Sequence, residues 1–249
     1  MFTSFRVGTL FGFPIRLHLS FLLLLLAVWF WSGGLAGVLL VLIVACSVLV
    51  HELGHALVAR HLGVPVAGIG LHVFGGAAQM VGLPRRPGDE IAIAAAGPAV
   101  SFALAGLGHG MALLTGVRLL GLCGWVNLVL AVFNLLPAFP SDGGRILRAW
   151  LARRHGLVRA TDLAVGLGRV VCVILGVGGL VLGSLQLVIV AAALWMIGGR
   201  ERLAVRLRGD RDGWRGDRGD GDAARGTYLP PGTTWPSESP RPIIFVWRR

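Results

Sequence analysis

The chain has 249 residues, of which 55% are hydrophobic and only 14% are charged, and its mean hydropathy is +0.76. A soluble domain carries roughly 25% charged residues because its surface faces water, so this composition excludes a water-soluble enzyme, a disordered chain and a coiled coil. The formal net charge is +11, and all 23 basic residues are Arg. These residues lie in short clusters between apolar runs and near the C-terminus. This distribution is typical of residues that orient membrane helices and not of a nucleic-acid-binding face.

Long unbroken apolar runs predict an all-α polytopic membrane protein with about six transmembrane helices. The predicted spans cover residues 17–31, 35–59, 91–114, 119–136, 161–177 and 184–197. Only Gly178, Gly179 and Gly183 separate the last two spans, so one bent helix is left open there. With the N-terminus in the cytoplasm, the Arg-rich connections all face the cytoplasm and Arg118 alone faces the other side. This asymmetry predicts a multi-pass cell-membrane protein with cytoplasmic N- and C-termini.

The connections between the spans are of two kinds. Residues 64–83, between the second and third spans, are rich in Gly and in β-branched residues, which predicts a short β-hairpin or re-entrant loop. After about Gly199 the chain strings Arg, Asp and Gly together with little apolar surface to bury. We therefore predict one membrane domain over residues 1–206 and a disordered cytoplasmic tail over residues 207–249.

The second span contains the run His51-Glu52-Leu53-Gly54-His55. An acid within a span costs roughly 2.5–3.5 kcal/mol on insertion scales, so Glu52 indicates a function. His51 and His55 are four residues apart and share one face of a helix, a spacing that lets two imidazoles bind one metal ion while the intervening Glu reaches the reacting water. The alternative is a pair of interfacial His residues beside a Glu that extends to the membrane surface.

A catalytic zinc site has three protein ligands and one open position, so the His pair lacks a third ligand. Asp142 is the candidate, because it follows a helix broken at Pro137 and Pro140 and precedes the paired Gly143 and Gly144. Irregular backbone at membrane depth is tolerated only where it lines a cavity or is buried in protein. The alternative for Asp142 is an ordinary turn or helix-cap residue.

Together these motifs resemble the site-2 protease family of intramembrane zinc metalloproteases. The resemblance depends on the HExxH run and on a segment similar to the family's Asn-x-x-Pro…Asp-Gly motif, whose Asp142 lies 90 residues after Glu52. Further matches are Phe74-Gly75-Gly76, Ala96-Gly97-Pro98 and Gly168-Arg169. The resemblance covers about residues 1–206 and points to the compact group related to the sporulation factor protease. Two positions depart from the family pattern: Ser101, where many members have Asn, and Ser141, where Leu is common.

The resemblance implies a ligand set and a catalytic residue. His51, His55 and Asp142 would bind one Zn²⁺ per chain, and Glu52 would act first as general base and then as general acid in peptide hydrolysis. Asn134 would donate a hydrogen bond to the substrate backbone or the oxyanion, with capping of the broken helix as the alternative.

Cleavage of a transmembrane helix also requires its local unwinding, because its peptide carbonyls are engaged in internal hydrogen bonds. The hairpin that contains Gly75 and Gly76 would then offer an edge strand to hold the unwound substrate segment. A lipid-facing re-entrant loop is the alternative for this hairpin.

The function implied is that of an intramembrane zinc endopeptidase, which hydrolyses peptide bonds in or near transmembrane segments of membrane-bound regulators. The expected partners are a transmembrane substrate protein and the lipid bilayer. Nucleic acid is not an expected partner, and homo-oligomerisation is left open. The first alternative is a non-proteolytic membrane zinc-binding scaffold for transmembrane helices, against which the intact Glu52 argues. The second is a lipid-amide hydrolase or a His/Asp iron site.

Overall fold

The computed structural model describes residues 4–31, 34–72, 75–80, 84 and 86–216. These residues are mostly helical, with one small four-stranded sheet. The strands are β1 (Ser4–Leu10), β2 (Phe13–His18), β3 (Val66–His72) and β4 (Gly75–Met80). The helices are α1 (Leu19–Trp31), α2 (Leu35–His61), α3 (Pro87–Thr115), α4 (Arg118–Asn134), α5 (Asp142–His155), α6 (Leu157–Val181) and α7 (Leu185–Gly216).

Three of the described helices, α2, α3 and α6, are long and apolar enough to cross a membrane. The apolar helices α1 and α4 are shorter, with 13 and 17 residues, so the count of six spans stays a prediction. The region after residue 160 forms two helices and not one bent helix. The chain turns between α6 and α7 at Gly183, whose φ of 65° is a backbone conformation that favours glycine.

Residues 64–83 contain the predicted hairpin, in which β3 and β4 pair antiparallel with Ile69 opposite Ala78. Phe74 and residues 81–83 lie outside the described residues. The sheet that the described residues form has the strand order β1-β2-β3-β4, with β2 and β3 parallel. Strand β4 is therefore an edge strand of this sheet.

The sequence analysis did not predict the N-terminal hairpin of β1 and β2. Its two-residue turn holds Phe11 at a φ of 50° and Gly12 at a φ of 85°. Positive φ at both central residues is the conformation that joins two twisted antiparallel strands most tightly. This hairpin enlarges the predicted two-stranded element to a four-stranded sheet.

The chain divides into two compact units. The first unit comprises the described residues within 1–83 and 96–131, and the second comprises those within 84–95 and 132–231. In the first unit, α2 packs on the sheet, and the core of this contact consists of Phe13, Leu53, Ala56 and Ile69. One face of α2 is thereby fixed against the strands.

In the second unit, Phe139 packs against Ala164 and Val165 of α6. Asp162 of α6 accepts hydrogen bonds from Arg202 Nε at 2.6 Å and from an Nη atom of Arg206 at 2.7 Å, and both Arg residues belong to α7. These ion pairs attach the polar end of α7 to α6. The helix runs on to Gly216, which lies within the segment 207–249 that we predicted to be disordered; residues 217–249 lie outside the described residues.

Candidate active site

The predicted His pair lies in the second half of α2, where both side chains are buried, with 2% and 3% exposure for His51 and His55. The two rings meet edge to face, and their Nε2 atoms are 3.2 Å apart. Two imidazole nitrogens at about 2.05 Å from one tetrahedral zinc ion would be about 3.3 Å apart. The pair therefore has the spacing of two ligands to one metal ion.

Ser101 of α3 fixes the ring of His51. Its Oγ lies 2.9 Å from His51 Nδ1, and the Ser101 side chain is fully buried. Metal-binding His residues commonly engage their second ring nitrogen in this way, which orients the ring and leaves the other nitrogen for the metal. The sequence analysis noted Ser101 only as a departure from the family pattern. The available signal was the spacing of four residues between Gly97 and Ser101, which places both on the face of α3 that meets His51.

Gly97 of α3 leaves open the space beside the two imidazoles. A Cβ atom at residue 97 would lie 2.6 Å from His51 Nε2 and closer still to His55 Nε2, whereas real Cβ atoms essentially never approach within 3.0 Å. Gly54 of α2 meets α3 similarly, since a Cβ there would lie 3.0 Å from the Ala96 carbonyl oxygen. Gly54 and Gly97 thus permit close packing between α2 and α3, and Gly97 keeps the space next to the two Nε2 atoms clear of side chains.

Glu52 is half-buried, and its carboxylate contacts the sheet. Its Oε2 atom accepts a hydrogen bond of 2.8 Å from the backbone N–H of Ala78 in β4. Gly76 gives the side chain room, because a Cβ there would lie 3.0 Å from Glu52 Cγ and 2.7 Å from Val48 Cγ1. The acid between the two His residues therefore lies at the edge strand, a contact that the sequence analysis did not predict.

Asp142 is the first residue of α5, and it is only 6% exposed. Arg145, one turn further along the helix, has its nearest guanidinium nitrogen 4.0 Å from the carboxylate. A Cβ on Gly143 would overlap the Leu135 carbonyl, and a Cβ on Gly144 would lie 3.0 Å from the Ala138 carbonyl carbon. Both glycines therefore let the first turn of α5 pack tightly against the preceding irregular segment.

In the first unit the structure brings together four of the predicted site residues: His51, Glu52, His55 and Gly76. Gly75 begins β4 opposite His72. Asp142 and Asn134 belong to the second unit. Asn134 is the last residue of α4 and is half-buried.

The sequence analysis missed a buried polar pair one helical turn from His51. Asn127 of α4 donates through Nδ2 to Ser47 Oγ of α2 at 3.0 Å and to the Cys123 carbonyl at 2.9 Å. The Oδ1 atom of Asn127 is buried and has no hydrogen-bond partner among the described residues. A lone Asn in an apolar run was the available signal, since polar groups at membrane depth need partners.

A buried ion-pair cluster anchors α5 in the second unit. Arg148 donates to Glu90 of α3 and, at 2.6 Å, to Glu201 of α7. Burial alone would lower the pKa of Arg148, but the two carboxylates outweigh this effect and hold the pKa above its usual range. The cluster thereby fixes the helix whose first residue is Asp142.

A buried His pair with an acid between them, on a helix apolar enough to cross a membrane, is a pattern typical of metal-dependent membrane hydrolases. The comparison with protein families identifies the particular family. The model of Peptidase family M50 matches residues 39–117 and 111–175, which together make up more than half of the chain. The chain therefore belongs to Peptidase family M50, the site-2 protease family, which confirms the resemblance found in the sequence.

Individual relatives support this assignment. The chain is 34% identical over 212 residues to a zinc metalloprotease of Methanocaldococcus jannaschii, covering 80% of this chain and 60% of that protein. It is 28% identical over 166 residues to the stage IV sporulation protein FB of Bacillus subtilis, covering 65% and 57%. The solved site-2 protease from Methanocaldococcus jannaschii has a TM-score of 0.63 and 32% identity, and the match covers 80% of this chain and 95% of that chain. The chain spans about half to three fifths of the length of the curated relatives it matches.

Proposed function

We propose that this chain is an intramembrane zinc endopeptidase that hydrolyses peptide bonds in or near transmembrane segments of membrane-bound regulators. The hydrogen bond of 2.8 Å from Ala78 to Glu52 carries the proposal, because it joins the proposed general base to the edge strand on which an extended peptide would dock. Family membership and the zinc metalloproteases among the relatives support both the reaction and the metal.

His51, His55 and Asp142 are the proposed zinc ligands, and all three are buried. The spacing of 3.2 Å between the Nε2 atoms, the hydrogen bond between His51 Nδ1 and Ser101 Oγ, and the space left by Gly97 all fit such an ion. A carboxylate is a common third ligand beside two His residues. When bound, zinc supplies a polarised water molecule and a Lewis acid for the peptide carbonyl.

The proposed roles of the other residues follow from their chemistry. Glu52 accepts a proton from the attacking water and returns it to the leaving amine. Asn134 donates its amide hydrogen to the substrate backbone or to the developing oxyanion. The edge of β4 at Gly75 and Gly76 receives the unwound substrate segment as an added strand.

The proposal includes the membrane arrangement expected from the sequence. Six spans would place both termini in the cytoplasm, with residues 1–206 as the protease domain and the end of the chain as a tail. The three long apolar helices and the clustering of Arg residues between apolar runs support this arrangement. The partners would be a transmembrane substrate and the bilayer.

The proposal is tested with the full chain in liposomes together with tagged single-pass membrane proteins. Glu52→Gln should lower cleavage by at least about 100-fold, the usual contribution of general acid–base catalysis, without changing the zinc content. Glu238→Gln, the same change in the predicted tail, should leave cleavage intact. Full turnover by Glu52→Gln would rule out the mechanism. Zinc binding by the wild type without cleavage of any substrate would favour the scaffold alternative, and bound iron or lipid hydrolysis would favour the second alternative.

The third ligand is tested by cobalt substitution of Asp142→Cys. A thiolate ligand gives cobalt an intense sulfur-to-metal absorption band, and thiolates bind such metals well. We expect this band in Asp142→Cys and not in the adjacent Ser141→Cys. If Asp142→Cys lacks the band and Asp142→Ala retains zinc with wild-type affinity, Asp142 is not a ligand.

A further inference from the structure

The backbone N–H of Ala78 contacts the proposed base, Glu52, and also belongs to the edge strand on which a substrate would dock. The N–H of Ala78 donates to Glu52 Oε2 at 2.8 Å, although Ala78 is paired with Ile69 of β3 in the sheet. This N–H therefore points away from β3. Since β4 is an edge of the sheet formed by the described residues, the N–H lies on the side where an added strand would pair.

On an edge strand only every second residue presents its N–H and C=O groups outward. Ala78 is one of these residues, and Gly76, two residues earlier, shares its orientation. The Glu52 side chain passes over Gly76, where a Cβ would lie 3.0 Å from Glu52 Cγ, and it reaches the outward N–H of Ala78. The carboxylate of Glu52 thus takes the place that a carbonyl oxygen of a docked strand would occupy.

We propose that a docked substrate strand takes the Ala78 N–H from Glu52, and that this exchange frees the carboxylate for proton transfer only when the edge is occupied. The inference rests on the proposed function. Without substrate, the hydrogen bond of 2.8 Å from the Ala78 N–H holds the Glu52 side chain against β4. With substrate, a backbone carbonyl replaces the carboxylate, so the exchange depends on extended backbone and not on a particular substrate side chain.

The same contact sets the register of the substrate. The carbonyl that accepts the Ala78 N–H lies next to Glu52, because both acceptors use one donor. The peptide bond to be hydrolysed is therefore close to the substrate residue that pairs with Ala78. Binding and activation of the base are coupled at a single backbone position.

The exchange is tested by comparing Glu52→Ala with Glu52→Gln, neither of which can transfer the proton, so that substrate binding is measured without cleavage. The Gln side chain retains an oxygen that accepts the Ala78 N–H, whereas the Ala side chain does not. A labelled single-pass substrate in zinc-loaded liposomes should bind Glu52→Ala about five-fold more tightly, the effect of one ordinary competing hydrogen bond. Equal affinities, or tighter binding to Glu52→Gln, would overturn the proposal.

Amide hydrogen exchange at Ala78 gives a second readout. Without substrate, exchange should be slow in the wild type and in Glu52→Gln but fast in Glu52→Ala; with substrate bound to the two inactive variants, it should be slow in both. Val48→Ala, a change on the same face of α2, should leave exchange at Ala78 slow. Slow exchange in substrate-free Glu52→Ala contradicts the inference.

Ala78→Pro removes the shared donor itself, and an outward-facing N–H on an edge strand is a position where Pro is tolerated. On this background the affinity difference between Glu52→Ala and Glu52→Gln should disappear, and its persistence would overturn the proposal. These measurements do not depend on cleavage. If the wild type does not cleave but the pattern of binding and exchange holds, the proposed function fails and only the exchange of the Ala78 N–H between acceptors stands. If the wild type cleaves and the pattern is absent, the inference fails alone.

Discussion

Gly97→Ala should remove zinc from the protein while leaving most of the fold in place. The added Cβ would lie 2.6 Å from His51 Nε2 and closer still to His55 Nε2, and an ordinary contact begins at 3.4 Å, so the imidazoles or α3 must move by at least about 0.8 Å. Metal–ligand distances are held to within about 0.2 Å. We therefore expect zinc affinity to fall by about 100-fold or more, and the free energy of unfolding to fall by about 1–3 kcal/mol, the usual cost of overpacking.

The measurement is chelator competition on the purified full chain in detergent, with thermal unfolding followed by circular dichroism. Gly106→Ala is the matched control, because it adds the same methyl group to α3 where no atom lies within 4 Å of the new Cβ. The control should retain wild-type zinc affinity. If Gly97→Ala also retains wild-type zinc affinity, the paired imidazoles do not bind the metal as their Nε2 spacing indicates.

Three further substitutions test polar contacts, one in the first unit and two in the second. Ser101→Ala removes the hydrogen bond to His51 Nδ1 and should lower zinc affinity about 10- to 100-fold in chelator competition, with little change in thermal stability. Arg148→Met leaves the buried Glu90 unpaired and should destabilise the protein by about 3–5 kcal/mol in thermal unfolding, and adding Glu90→Gln should restore part of this loss. Asp162→Asn breaks ion pairs that are partly exposed, so its cost should stay below about 1 kcal/mol and shrink at high salt; a loss as large as that of Arg148→Met would contradict this reasoning.

The features that the sequence predicted well depend on local pattern. The spacing of His51 and His55 by four residues places both rings on one face of a helix wherever that helix lies. Pro137 and Pro140 end a helix because proline cannot donate the backbone hydrogen bond, and α4 does end at Asn134, before both. Strand β3 forms for a similarly local reason, since its β-branched Val66 and Ile69 favour extended backbone, whereas β4 has no β-branched residue and is extended through its pairing with β3.

The features that the sequence did not predict depend on distant pairing. Strand β2 lies beside β3 with Ile15 opposite Ile69, a parallel contact between residues 54 positions apart. Its hairpin partner β1 was equally hidden, because the turn places Phe11 at positive φ, where Asn or Asp would have been the recognisable signal. The hydrogen bond from Ala78 to Glu52 joins α2 to β4 after a reversal of the chain, so no spacing rule indicates it.

Three glycines that the sequence offered only as parts of motifs have different physical roles. Gly97 keeps a side chain away from the imidazole nitrogens, Gly76 makes room for the Glu52 side chain, and Gly143 lets the first turn of α5 pack on the carbonyls before it. An added methyl group should therefore cause three distinct defects: loss of metal at residue 97, displacement of the base at residue 76, and loss of stability at residue 143. Gly97 and Gly76 face side-chain atoms of α2, whereas Gly143 faces backbone atoms, so the effect of an added methyl group depends on what each glycine meets and not on the lost flexibility of glycine.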